Sequence, residues 1–145
     1  MRSYSKAERG SSLPETVIVM GVLMALICGI IDFGRATYTY SFVAQLARQG
    51  ARWAIVRGTG CSVLNDCSAT ASEVQSYVQS LSEGATEPSS ISVSYTAVTT
   101  GCSLPPAPGC TIAVTVSYPF KFFLPFVLPG TTLEVSSTSE MVVSN

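Results

Sequence analysis

One feature constrains this chain more than any other. Residues 16–31 read T-V-I-V-M-G-V-L-M-A-L-I-C-G-I-I and hold no charge. As a helix, sixteen residues rise about 24 Å, a little short of a ~30 Å hydrocarbon core. Leu13 and residues 33–40 extend the run, with Glu15, Asp32 and Arg35 near its ends. A helix buried on all sides of a soluble core would read similarly. Here, however, the run follows a basic leader (Arg2, Lys6, Arg9) at the start of a 145-residue chain, and that order points to a membrane segment.

The helix is not expected to stop at the membrane. No proline interrupts residues 15–87, and after residue 40 the pattern changes from apolar all round to two-faced. Phe42, Leu46, Gly50 and Trp53 form an oily stripe, while Ser41, Gln45, Arg48 and Arg52 form a wet one. Glycines at 58 and 60 supply the stop. A helix over 12–57 would be roughly 69 Å long.

The rest reads as a small α+β module. Thr70 and Glu73 form a T-x-x-E capping box ahead of Val74, Tyr77, Val78 and Leu81, with Gly84 as terminator. Strand alternation follows in Ile91, Val93, Tyr95 and Ala97, and again in Ile112, Val114, Val116 and Tyr118. A third strand sets Leu133, Val135, Met141 and Val143 on one face and Glu134 and Glu140 on the other. Connections are expected at 99–110 and 119–130, where prolines concentrate. Three half-buried strands need a cover, and the oily stripe of the protruding helix is the natural one. The expected architecture is α+β: a long N-terminal helix, half in the membrane and half amphipathic, packed on an antiparallel sheet of about three strands. In chain order this gives a leader (1–10), a transmembrane helix (11–40), its amphipathic continuation (41–58) and an extracytoplasmic module (59–145).

Cysteines indicate the compartment. Cys28 lies in the apolar run and serves as a small hydrophobe. Cys61, Cys67, Cys102 and Cys110 all follow the span, and local pairing, 61 with 67 and 102 with 110, is the simplest of three connectivities. Zinc is the rival, but C-x5-C and C-x7-C lack the tight spacing zinc prefers. Disulfides place the module outside the cytoplasm. Basic residues on both sides of the span nearly balance, so cysteines and leader decide the orientation, with the N-terminus inside.

Composition excludes several functions. Charged residues are 12% and hydrophobic residues 47% of the chain, and histidine is absent. Ser-His and Cys-His nucleophiles and His-ligated metals are therefore out of reach. Residues 1–57 carry seven Lys/Arg against three acids, whereas residues 59–145 carry Lys121 against six acids. Such a module offers nothing basic to nucleic acid. Its carboxylates are scattered and none sits in a recognisable catalytic setting, so no enzyme, metal or cofactor is expected. Asp32-Phe33-Gly34 spells a kinase triplet, but without its companion motifs. Asp32 and Arg35, three apart on a helix, are instead expected to pair at the outer membrane edge. A cleavable signal peptide fits poorly, because Ile27 precedes Cys28 and the best remaining exit, residues 34–36, carries a charge.

Residues 9–16 read R-G-S-S-L-P-E-T, directly before the apolar run. This resembles a type IV prepilin processing site: basic leader, Gly10, four residues, Glu15, then a membrane helix. Cleavage after Gly10 would make Ser11 the new N-terminus and Glu15 the fifth residue. A glycine at the bond allows close backbone approach, and a carboxylate at a membrane edge is costly without a partner. The resemblance implies that the partner is the new amino group, usually on a neighbouring subunit. Further residues sharpen it. Glu15, then Asp32-Phe33-Gly34-Arg35-Ala36, Tyr38 and the A-R-Q-G-A-R-W-A of 47–54 resemble the TadE-like family, the minor pseudopilin-like proteins of tight-adherence (Tad/Flp) pilus systems.

That resemblance implies a minor pilin-like subunit, single-pass in the bacterial cytoplasmic membrane and supporting pilus assembly or secretion for adhesion. Its implied partners are the membrane, a prepilin peptidase and other pilin-like subunits. The alternative is a membrane-tethered interaction module that is never processed. Arg48 and Arg52, four apart, are candidates for lipid phosphates or an acidic partner. The aromatic stretch with Phe120, Phe122, Phe123 and Phe126 is expected either to pack over the sheet or to form an exposed contact patch.

Overall fold

The computed structural model describes residues 12–59, 61, 67, 69–83, 88–122 and 132–143. Helix α1 (Ser12–Val56) is one unbroken element of 45 residues, about 68 Å long at the standard rise. Pro14 falls in its first turn, where the missing N–H has no intrahelical partner to lose. Beyond Val56 the Thr59 N–H donates to the Pro106 carbonyl at 2.9 Å, tying the end of α1 to a later loop.

Helix α2 (Ala71–Ser82) starts at the capping box. Glu73 N–H donates to the Thr70 hydroxyl at 3.4 Å, and Thr70 N–H donates to the Glu73 carboxylate at 2.9 Å. A 3-10 turn (Pro88–Ser90) leads into strands β1 (Ser92–Ala97), β2 (Thr111–Lys121) and β3 (Thr132–Val142). They form one antiparallel sheet in the order β1-β2-β3, with Tyr95 opposite Val114 and Val114 opposite Ser139.

Alternation gives the sheet one apolar face. Tyr95, Ile112, Val114, Val116, Phe120 and Val135 are buried there, against Val43, Leu46 and Ala47 of α1 and Val74 and Val78 of α2. The buried stripe of α1 is centred differently from the expected one. Phe42 and Trp53 are only half-buried, whereas Ala47, Ala51 and Ala54 are fully buried. Small residues win because the contact is close. A Cβ on Gly50 would lie 2.9 Å from Val78 Cγ2 and 3.2 Å from Val114 Cγ1. Trp53 flanks this contact, stacked on Tyr77 at 5.2 Å with the Arg57 guanidinium 4.1 Å above its ring.

One boundary is corrected. Residues 119–121, expected in a proline-rich connection, continue β2 as far as Lys121. Val98 N–H donates to the Thr111 carbonyl at 2.8 Å, so the odd residues of β2 direct their backbone groups toward β1. Pro119 is one of these, and β1 begins at Ser92, paired with Ser117. The missing N–H of Pro119 therefore points to the side of β2 where β1 has not yet begun. Its pairing with Glu134 of β3 is intact.

Candidate functional site

Residues 13–31 of α1 present Leu13, Val17, Ile18, Val19, Met20, Val22 and further large apolar side chains outward, most of them more than half exposed. The most apolar 18-residue window has a mean hydropathy of 2.5 and is 6% buried. A core helix of a soluble protein would be mostly covered, so the core-helix reading of this run is set aside. The helix is long and apolar enough to cross a membrane.

Glu15 lies exposed in the first turn of α1, where a carboxylate suits the positive end of the helix dipole. Gly10 and Ser11, the two residues flanking the expected cleavage, lie outside the described residues, as do Phe123 and Phe126.

The far end of the apolar run is a polar junction. Asp32 is buried, and Arg35 Nη1 lies 3.4 Å from its Oδ1, one turn away on the same helix. The Arg35 guanidinium also sits 5.4 Å from the centre of the Phe120 ring at the end of β2. Thus a residue 85 positions later in the chain completes the junction. Above it, the hydroxyls of Thr37, Thr39 and Ser41 donate to the carbonyls four residues earlier, at 2.9 to 3.0 Å. Hydroxyls satisfied within their own helix can leave water cheaply.

Phe120 is 2% exposed and packs inside the protein, with Phe122 edge-on at 5.3 Å. As a contact surface for a partner, Phe120 is therefore withdrawn. Its even position in β2 points it to the helix face, and Phe122 packs beside it as a half-buried neighbour. Arg48 and Arg52 are exposed side by side on the wet face of α1.

Cys61 is joined to Cys67 and Cys102 to Cys110, with Cα separations of 5.4 and 6.0 Å. The second bridge closes the loop between β1 and β2, where Gly101 and Gly109 adopt positive φ angles of 88° and 86°. Cys28 is free and half-buried. Among the described residues, no group of three or more Cys, Asp or Glu side chains could hold a metal ion.

Sequence reasoning did not single out Tyr95. Its hydroxyl is buried without a hydrogen-bond partner, and burial pushes its pKa up to about 12. The strand alternation marks Tyr95 as a core position but is silent on whether its hydroxyl finds a partner.

An uncovered, membrane-length apolar helix that runs unbroken into the core of an α+β head is consistent with a single-pass membrane protein. Within that class, residues 10–52 match the family model described as TadE-like protein, so the chain carries a TadE-like segment at its N-terminal end. The match covers the apolar run, the Asp32–Arg35 pair and the first part of the helix packed on the sheet. No curated protein and no solved structure matches the chain.

Proposed function

We propose that the protein is a minor pilin-like subunit that supports assembly of a Tad-type pilus or secretion system. In this reading residues 13–32 of α1 anchor it in the bacterial cytoplasmic membrane. The observation that carries the reading is the continuity of α1. One helix has an uncovered apolar half and a half that forms the core of the head, and the TadE-like match runs across both. Pulling on such a helix moves the whole head with it, which suits a subunit extracted from or passed along a membrane. The head stands outside the cytoplasm, where its two disulfides persist. A prepilin peptidase removes residues 1–10, and the new amino group at Ser11 then pairs with Glu15 of a neighbouring subunit. The protein works by assembly rather than catalysis. Arg48 lies about 24 Å along the helix from Asp32, too far for lipid headgroups, which leaves the Arg48–Arg52 face to water or an acidic partner.

Co-expression with a prepilin peptidase tests the reading, with the intact mass and N-terminal residue as readout. Loss of ten residues, leaving Ser11 first, is expected, and Gly10→Lys should block it without preventing insertion. Glu15→Ala should be inserted and folded, because the head lies tens of ångströms away, yet cross-link poorly to other pilin-like subunits. A chain that keeps its leader, or a Glu15→Ala variant that assembles normally, would make the tethered, unprocessed module the better account.

A further inference from the structure

The head has a helix layer and a sheet layer, and their outer sides carry opposite charge. Ala47, Ala51 and Ala54 mark the side of α1 that meets the sheet. At 3.6 residues per turn, Arg48 and Arg52 point roughly 130° and 170° away from that buried stripe, and both are exposed. Residues 33–65 hold no acid that could answer them. On β3, alternation sets Glu134, Ser136, Thr138 and Glu140 on the face away from buried Val135, and all four are exposed. Among the described residues, none of Arg48, Arg52 and Glu140 has an ion-pair partner. Glu73 of α2 is engaged in its capping box, and Glu83 ends α2 in the same layer as the arginines.

Height along α1 is the second observation. Arg35 lies over the Phe120 ring, and Gly50 lies against Val114. Fifteen helix residues rise about 22 Å and six strand residues about 20 Å, so β2 runs nearly along α1 and in the opposite direction. β3, antiparallel to β2, therefore runs the same way as α1, and Ser139, opposite Val114, stands level with Gly50. Glu140 is then about 3 Å further along, level with Arg52, which lies about 3 Å beyond Gly50. Glu134 stands about 20 Å lower, level with residues 38–39, where the outward side of α1 carries no charge.

We propose that the Arg48–Arg52 face of one copy docks on the Glu140 face of a second copy standing beside it in the same membrane. The proposal rests on the membrane-anchored, pilin-like reading above. Identical anchors hold two copies at one depth, so the arginines of one stand opposite Glu140 of the next without axial shift. After the first contact each copy keeps one face free, so the contact is head-to-tail and can repeat. Exposed ion pairs are individually weak. Neighbours confined to a bilayer meet at high effective concentration, however, and charge then selects which sides meet. Exposed Ser41 and Gln45 beside the arginines, and Ser136 and Thr138 beside Glu140, give the two faces matching polar surroundings.

The test uses the full-length chain with Cys28→Ser, co-expressed in one bacterial membrane as two differently tagged populations, one Gln45→Cys and one Ser136→Cys. Both probes leave Arg48, Arg52 and Glu140 in place and stand within about 3 Å of one height. Mild oxidation of isolated membranes should give a mixed disulfide dimer about fivefold more abundant than the dimer of either population with itself. Arg48→Glu with Arg52→Glu in the Gln45→Cys population should erase that excess, as should Glu140→Lys in the Ser136→Cys population. Combining the two reversals should restore it, and Glu134→Gln should leave it unchanged. Equal yields of mixed and like dimers, an excess indifferent to charge reversal, or reversals that do not rescue each other overturn the contact while leaving the anchor reading intact. Release of the chain from membranes by alkaline carbonate overturns the anchor reading, and the contact with it.

Discussion

The two halves of α1 invert the usual relation between hydrophobicity and burial. In the first half Leu13 is 76% and Ile18 67% exposed, whereas in the second half Ala47 and Ala51 are fully buried. The larger, oilier side chains are the uncovered ones. The anchored reading accounts for both by giving each half its own solvent. Burial in protein repays apolar area removed from water, and in the anchored reading proposed above the first half meets hydrocarbon instead, where it gains nothing from such burial. The contrast extends to glycine: Gly21, Gly29 and Gly34 would accept a Cβ with nothing within 4 Å, whereas Gly50 would not. In the first half of the helix, added side chains meet no other part of the chain. In the second they meet Val74, Val78 and Val114.

Substitutions that reverse the two environments test this contrast most severely. Ala51→Glu would force an uncompensated carboxylate into the closed contact of the second half. It should unfold the head, a loss of more than about 4 kcal/mol, while leaving membrane insertion unaffected. Protease resistance of the head and carbonate extraction of the anchor read the two outcomes separately. Val22→Arg makes the reciprocal change. It should cost about 3 kcal/mol of insertion, seen as release into the soluble fraction, with an unchanged near-ultraviolet spectrum of the head. If Val22→Arg damaged the head instead, the two halves would not be independent.

Alkali probes the second half alone. Tyr95 has a folded-state pKa of about 12, against about 10 in the unfolded chain. Below pH 10 the phenol is neutral in both states and contributes no pH dependence. Between pH 10 and 12 only the unfolded chain loses the proton, so stability falls as pH rises, by about 2 to 3 kcal/mol in all. Denaturant titrations across that window should show the fall in the wild type and a shallower one in Tyr95→Phe. At neutral pH Tyr95→Phe should cost nothing, because the hydroxyl it removes has no hydrogen-bond partner.

The smallest effect sharpens the contrast most finely. Gly50→Ala gains about 1 kcal/mol of helix propensity but overpacks the contact with Val78 and Val114 by about 1 to 3 kcal/mol. A net loss near 1 kcal/mol is expected in urea denaturation of the head. Gly29→Ala, in the first half, should show the propensity gain or no change. Equal responses of the two glycines would mean that the Gly50 contact relaxes freely.

Much of this architecture is legible in the sequence because it depends on short-range rules. A charge-free run without prolines specifies α1, the capping box of Thr70 and Glu73 starts α2, and period-two alternation marks the strands and their buried faces. These signals need only neighbouring residues, whose spacing fixes which face they share. The position of the buried stripe was less legible. Alanine is neither oily nor wet, and Ala47, Ala51 and Ala54 become core residues only because α2 and the sheet approach closely. Pro119 misleads for a related reason. A proline reads as a strand breaker until the start of β1 at Ser92 shows that no ladder bond was required there.

The sequence by itself determined that this chain has an anchor-length apolar helix, a cysteine-bearing α+β head and a TadE-like junction between them. Local periodicity and composition carry the first two, and the resemblance of particular residues between Gly10 and Ala54 carries the third. Only the tertiary structure decided which side of α1 meets the sheet and that Phe120 turns inward beneath Arg35. Those are meetings of residues some 85 positions apart, and their closeness follows from strand register and helix packing, which no local spacing encodes.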